Sequence, residues 1–359
     1  MSEGLDDVVA ARTVLSEVDG AAGRLVIRGR SLDDLASRAS FEDIAHLLFD
    51  GFFDDLPRDL QRPLGEARAS VFAHAAAVGE LSGLDPVEAM RALTARLRDG
   101  DDLATALRLL AAPAVFIATV LRARAGEAPV APDPSLSHAA DILRMTHGRP
   151  AGPGQAEALD AYLVTVCDHG LNASTFAARV IASTHAGLTS AVLGGISALK
   201  GPLHGGAPGP VLEMLRGIGE PANARPWLEA ALARGERLMG FGHRIYRVRD
   251  PRADALKAAV RRLGALQPDA SGRVALAEAV EAAALAILKD RKPDRPLETN
   301  VEFYTALLLE AVGFPADAFT GVFAMGRVAG WIAHAREQVA QGRLIRPQSV
   351  YVGPQPKAA

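Results

Sequence analysis

Residues 172–199 read NASTFAARVIASTHAGLTSAVLGGISAL. The stretch is apolar and rich in small residues throughout, the pattern of a helix pair buried on most sides. Outward from it the same character continues. Ala and Leu dominate, and the β-branched alternation that marks strands is rare. Upstream, the pattern is helical over 41–49, 88–98, 102–124, 136–147 and 155–167, with Ser31 starting a helix and Pro57 and Pro63 breaking the segment after 49. Downstream, 210–238 and 251–290 carry Arg and Glu at helical intervals, and 301–312 and 319–340 return to strongly apolar helix. Residues 201–209 form a loop, and 291–299 are a polar, proline-bearing break. The clearest strand candidate is 24–28, between Gly23 and Gly29. This organisation predicts a mainly α protein. A more exposed small helical domain, 204–305, is inserted into a large helical domain made of 1–203 and 306–359.

The bulk numbers agree with a globular protein. A chain of 359 residues suggests about two domains. Hydrophobic residues make up 49% and charged residues 23%, an ordinary balance. The net charge of −3 carries no global footprint for nucleic acid or an anionic membrane. The single cysteine, Cys167, has no intrachain disulfide partner and reads as a small buried hydrophobe in a reducing compartment. Met1–Asp7 is acidic and lacks a basic, then apolar, secretory pattern. The longest apolar stretch, Leu109–Leu121, contains Pro113 and is short for a bilayer span. The expected location is cytoplasmic, with neither membrane nor nucleic acid as partner.

Common catalytic signatures are absent: the sequence has no P-loop, no Gly-x-Gly-x-x-Gly, no Cys-x-x-Cys and no His-Glu-x-x-His, so no metal site is expected. Three histidines stand out instead, His169, His204 and His243, each in a loop or at an element boundary beside glycine. Such glycines let the backbone approach a ligand closely. Taken singly, each ring could equally cap a helix or fill a turn. Arg244, Arg247, Arg249 and Arg252 follow His243 directly. Their planar donor forks suit carboxylate and phosphate, which points to an anionic small molecule, although a solvated basic face gives the same pattern. Finally, Thr299 and Glu302 match a helix capping box ahead of an apolar run. Glu302 therefore has two readings, a cap and a general base at the start of a helix.

Together these segments resemble the citrate synthase family, which includes 2-methylcitrate synthases, along nearly the whole chain. The resemblance runs from Ser16–Gly29 through Asp168–Thr175, Gly201–Ala207 and Gly242–Arg252 to Asn300–Tyr304, Arg327–His334, Arg346 and Pro347. It implies an almost all-α fold of two domains with a cleft between them, a short N-terminal β-hairpin, and a homodimer. It implies condensation of acetyl-CoA, bound as a co-substrate, with oxaloacetate, and no permanently bound cofactor. By the same resemblance His204 stabilises the enol of the acetyl thioester, His243 polarises the ketone, and Glu302 stands where the base stands. His169, Arg252 and Arg327 hold oxaloacetate, Arg346 completes the neighbouring subunit's site, and Arg247, assisted by Lys257, meets a phosphate of CoA.

One position departs from the family pattern. The base is usually aspartate in Asn-Val-Asp, and here it is Glu302. Glutamate reaches farther by one C–C bond, roughly 1.5 Å. A displacement of about 1 Å can cost on the order of 10²-fold in rate. Three readings stay open on the sequence: a citrate synthase, a 2-methylcitrate synthase using propionyl-CoA, and a weakly active or non-catalytic paralogue that binds the ligands.

Overall fold

The computed structural model describes residues 4–5, 8–81, 83–205, 209–243, 245–267, 271–292 and 297–355. Three short strands open the fold: β1 (Ser16–Asp19), β2 (Arg24–Ile27) and β3 (Arg30–Ser31), antiparallel in the order β1-β2-β3. Ser16 faces Ile27 and Val26 faces Ser31. The strand expected at 24–28 is thus the middle of a small sheet. Its hairpin is extended by a two-residue third strand too short to leave a periodic signal.

The other regular elements among the described residues are helices. The first helices are α1 (Leu32–Arg38), α2 (Phe41–Phe49), α3 (Gln61–Phe72), α4 (Pro86–Thr94), α5 (Leu103–Arg124) and α6 (His138–His147). Then come α7 (Gln155–Val166), α8 (Ala173–Ala182), α9 (Leu188–Leu199), α10 (Gly209–Ile218) and α11 (Ala224–Ala233). The last are α12 (Pro251–Leu266), α13 (Ser271–Arg291), α14 (Val301–Ala311) and α15 (Phe319–Gln341). The helix pair read in 172–199 is α8 and α9, packed on each other. Ser31 caps α1 by accepting the Asp34 amide, as expected. Pro63 does not break the chain. It falls in the first turn of α3, where an amide has no intrahelical acceptor to lose.

Two buried helices organise the core. α5 packs against α3, α4, α6 and α15, and α15 against α5, α7, α8 and α9. By length and composition α5 could cross a membrane, beyond what the run 109–121 suggested, but 89% of its most apolar window is buried inside the molecule. α15 approaches the end of α7 closely because two of its residues are glycines. A Cβ on Gly326 would lie 2.8 Å from the Leu163 carbonyl oxygen, and one on Gly330 would meet the Cys167 carbonyl and lie 2.8 Å from an oxygen of Asp168. This approach sets Arg327 beside Val166 and His334 beside Asp168. α10–α13 pack among themselves and against α14, and α12 also meets α1 and α7.

Candidate active site

The ends of several of these elements open on one cleft of roughly 1140 Å³. His169 follows α7, His204 follows α9, and His243 precedes α12. Arg252 is the second residue of α12, Glu302 the second of α14, and Arg327 lies on α15. All six line the cleft, as does Arg247. Residues up to 158 positions apart in the chain thus share one space.

The loop carrying His243 is clamped to the start of α14. Gly242, at φ +85°, donates its amide to the Glu298 carbonyl at 2.7 Å. Asn300 answers with its amide to the Gly240 carbonyl (3.0 Å) and its side-chain NH2 to the Gly242 carbonyl (2.9 Å). His243 and Glu302 are therefore held in one frame. The His243 ring accepts the Ile245 and Tyr246 amides at Nδ1, both at 3.0 Å. A neutral ring then carries its proton on Nε2, an assignment made from the hydrogen-bond network. Nε2 lies 3.0 Å from Nη2 of Arg252, so two donors face each other with no acceptor between them. Arg252 is oriented by Asp250, which pairs with its Nε at 3.1 Å and its Nη2 at 2.9 Å and also caps α12. Burial, and then Arg252, push the His243 pKa down to about 4.

His204 is held by a residue that the sequence did not single out. Its Nε2 lies 2.8 Å from the Ser174 hydroxyl oxygen. Ser174 is fully buried, accepts the Trp331 indole N–H at 3.1 Å, and lies 2.8 Å from the Asn172 amide oxygen. The hydroxyl has a single proton, and when it goes to Nε2 of His204 the ring's own proton sits on Nδ1, the nitrogen away from Ser174. Burial, and then Arg327, lower the His204 pKa to about 4. Ser174 was within reach of sequence reasoning only as a polar residue five positions after His169 at the start of an apolar helix.

Behind His169 lies a buried charged chain. Asp168 accepts the Ser16 hydroxyl and pairs with His334 at 3.2 Å. His334 meets Arg179 at 3.0 Å, and Arg179 pairs with Glu337 at 2.5 Å. Glu337 in turn accepts the Val14 amide at 2.8 Å. The network ties the N-terminal segment, α8 and α15 together and fixes the backbone that presents His169. The His169 ring lies 3.1 Å from the Tyr246 hydroxyl, and burial, with Arg252 next, drives its pKa well below the usual value.

Glu302 is not a capping residue. The N-cap of α14 is Asn300, and Thr299 instead donates its hydroxyl to Glu281 at 2.9 Å. The expected box fails because Thr299 sits one residue outside the cap, in a bridge with Phe241. One Glu302 oxygen, Oε2, is buried without a hydrogen-bond partner among the described residues. Burial raises the pKa of this carboxyl, while Arg252 and its own backbone amide hold it back. Arg327 is also underused. Its Nε donates to the Val166 carbonyl at 2.6 Å and its guanidinium lies 4.8 Å over the Phe323 ring, but Nη2 has no partner among the described residues. Burial lowers its pKa to about 10. A buried cation with an unused donor is a costly arrangement that an anion would relieve.

Two expected site residues lie elsewhere. Lys257 does not reach the cleft. Its ammonium pairs with Glu281 at 2.5 Å and lies 5.6 Å over the Tyr304 ring, so a carboxylate already neutralises it. Arg346 is exposed in the extended segment after α15 and is not among the residues lining this cleft. Arg244 lies outside the described residues. Cys167 is buried as expected, and burial pushes its thiol pKa up, away from reactivity.

Comparison with known proteins places this geometry. The family model described as citrate synthase, C-terminal domain, matches residues 4–348. The chain is 42% identical to putative citrate synthase 2 of Mycobacterium tuberculosis, covering 99% of this chain and 94% of that protein. It is 38% identical to the 2-methylcitrate synthase of the same organism, covering 98% and 91%. Among solved structures it resembles citrate synthase from the thermophilic archaeon Thermoplasma acidophilum, in ternary complex with carboxymethyl coenzyme A and oxaloacetate. The TM-score is 0.86 at 30% identity, covering 100% of this chain and 98% of that one. Fold and matches together define a helical transferase of the acyltransferase type. The chain belongs to the citrate synthase family.

Proposed function

We propose that the protein condenses acetyl-CoA with oxaloacetate to release citrate and CoA. The observation that carries this reading is the unpartnered, buried oxygen of Glu302 in the same cleft as two neutral imidazoles. The α-hydrogen of a thioester is a weak acid, so removing it takes a base and, at the same moment, a donor on the oxygen where charge develops. Glu302 takes the proton, and His204 donates its N–H to the thioester oxygen. The enol carbon attacks the ketone of oxaloacetate, whose oxygen receives the Nε2 proton of His243. Arg252, Arg327 and His169 hold the dicarboxylate, which supplies the acceptor oxygen that the two facing donors, His243 and Arg252, lack. Water then cleaves the citryl thioester, its hydroxyl going to carbon and its proton to sulfur, to give citrate and free CoA, and the proton held by Glu302 returns to His243. The imidazoles act as neutral donors because burial keeps them uncharged at pH 7.

Further parts of the reading rest on the family resemblance. The molecule works as a homodimer in which the exposed Arg346 reaches the neighbouring cleft. Residues 204–305 move as a small domain against the remainder, and the location is cytoplasmic. CoA is a substrate and leaves each cycle. A second acyl preference has a specific support, the similarity to a 2-methylcitrate synthase. One methylene is worth only about 1–3 kcal/mol in a pocket. Free-thiol release with acetyl-CoA and oxaloacetate, read with a disulfide reagent, tests the condensation, and the absence of release above background defeats it. The ratio of kcat/KM for acetyl-CoA and propionyl-CoA decides the acyl chain.

A further inference from the structure

Tyr246 follows His243 in the loop before α12. It is buried, and it is not among the residues that line the cleft. The condensation chemistry gives it no task, yet it touches three groups that have one. Its backbone N–H donates to Nδ1 of His243 at 3.0 Å, and its hydroxyl oxygen lies 3.1 Å from Nε2 of His169. The guanidinium of Arg252 lies 5.6 Å over its ring. The contact between hydroxyl and imidazole joins two loops that one element holds. β1 fixes the His169 side, where the Ser16 hydroxyl donates to Asp168 and accepts the Gly170 amide at 3.1 Å. The turn after β1 fixes the Tyr246 side, where the Gly20 carbonyl accepts the Arg247 amide at 2.9 Å. A side chain at Gly20 has no room, because its Cβ would lie 2.8 Å from the Ile245 carbonyl carbon. The residues beside both rings are thus tied to one short hairpin, which sets the distance between phenol and imidazole.

Burial pushes the Tyr246 phenol up to about 12, so its hydroxyl keeps its proton near neutral pH. His169, driven well below its usual pKa, is a neutral ring there. A neutral imidazole donates at one nitrogen and accepts at the other. Among the described residues the Tyr246 hydroxyl has one hydrogen-bond partner, Nε2 of His169. When the phenol gives its proton to Nε2, the ring's own proton sits on Nδ1. The reverse arrangement, Nε2–H toward the phenol, leaves a buried phenol proton with no acceptor among the described residues, which costs its desolvation. No described residue accepts a hydrogen bond from Nδ1 of His169, and the ring lines the cleft. A carboxylate offers only acceptors, so it can bond Nδ1–H and gains nothing from a bare Nδ1.

We propose that Tyr246 is a positioning residue that sets the two histidines in opposite tautomers. Its amide holds the His243 proton on Nε2, and its hydroxyl holds the His169 proton on Nδ1, where it meets a carboxylate of oxaloacetate. The assignment rests on the oxaloacetate reading of the cleft and adds to it the reason that His169 is a donor. Its test pairs two measurements. The first is long-range ¹⁵N–¹H correlation spectroscopy of protein carrying ¹⁵N-labelled histidine, with the His169 signals assigned by their loss in His169→Asn. The second is titration calorimetry of oxaloacetate into wild type, Y246F and Y246L. Wild type shows His169 as Nδ1–H. Y246F keeps the ring and loses the hydroxyl, and shows His169 as Nε2–H or as a mixture. His243 stays Nε2–H in both, because its partner is backbone. Y246F weakens oxaloacetate about tenfold and raises its KM by a similar factor, while KM for acetyl-CoA stays within twofold. Y246L weakens oxaloacetate at least as much. A wild-type His169 protonated on Nε2 overturns the proposal without any variant. Y246F that binds oxaloacetate as tightly as wild type also overturns it, and a loss confined to Y246L then marks the ring as packing alone. Both of these outcomes leave the condensation reading standing. Wild type that binds no oxaloacetate overturns the two together.

Discussion

At the scale of single residues, the glutamate in place of the family's aspartate decides most. Glu302 has no capping duty, an unpartnered oxygen and a pKa raised by burial, which together suit a base. Glu302→Gln should lower kcat about a thousandfold, within the range of general-base contributions, while oxaloacetate still binds. Glu302→Asp shortens the reach by roughly 1.5 Å in a site built around glutamate, and should lower kcat about 10–100-fold. A gain of activity in Glu302→Asp would instead favour the non-catalytic paralogue. The pH profile separates the base from the imidazoles. His204 and His243, at about 4, stay neutral through the working range. A general base must be ionised to work, and the folded pKa of Glu302 is raised. Activity is therefore present above that pKa and lost as pH falls through it. The acid limb of kcat/KM should lie above the ordinary carboxylate range and vanish with Glu302→Gln. A limb centred near pH 4 that persists in Glu302→Gln would assign it to the imidazoles.

At the scale of elements, small residues and buried carboxylates set the packing. Gly330→Ala places a methyl group against the Cys167 carbonyl and the Asp168 carboxylate, which backbone cannot avoid. It should cost about 1–3 kcal/mol in stability and weaken oxaloacetate binding by moving Arg327. A melt indistinguishable from wild type would show that α15 can shift freely. Asp160 on α7 behaves oppositely. It accepts the Phe41 amide at 2.9 Å, and burial, with Glu42 next, raises its pKa to about 7. It ionises in the unfolded chain near pH 4 but in the folded chain only near 7. Its favourable contribution therefore holds below pH 4 and is lost as pH rises to 7. Asp160→Asn keeps the acceptor without the charge and should stabilise by up to about 4 kcal/mol at pH 8, and by less at pH 5. An equal gain at both values would contradict the burial argument. The sequence showed the helices well because periodicity is local, as in α8 and α9. It also showed the histidines, since glycine beside each marks a loop. It did not show the Thr299–Glu281 bond or the Asp168–His334 pair, 18 and 166 positions apart. No local pattern encodes them, and a local capping motif at Thr299 pointed the other way.

At the scale of the whole molecule, the cleft of one chain holds two buried cationic forks, while Arg346 stands exposed after α15 and outside it. An arginine that served only solubility could be replaced without consequence. If Arg346 instead reaches the neighbouring cleft, each site takes Glu302 from one chain and Arg346 from the other, as two-fold symmetry allows. Arg346→Gln and Glu302→Gln are then each inactive alone for different reasons, and their mixture is informative. In a mixed dimer one cleft inherits both lesions. The other takes intact Glu302 from the Arg346→Gln chain and intact Arg346 from the Glu302→Gln chain. Random pairing at equal amounts should therefore restore about a quarter of wild-type activity per chain. Recovery should appear only after subunits exchange, by co-expression or by unfolding and refolding the mixture. A mixture that stays inactive after proven exchange would place Arg346 in its own chain's cleft or outside catalysis altogether. Full activity of Arg346→Gln alone would show that the two buried arginines are enough to hold the dicarboxylate.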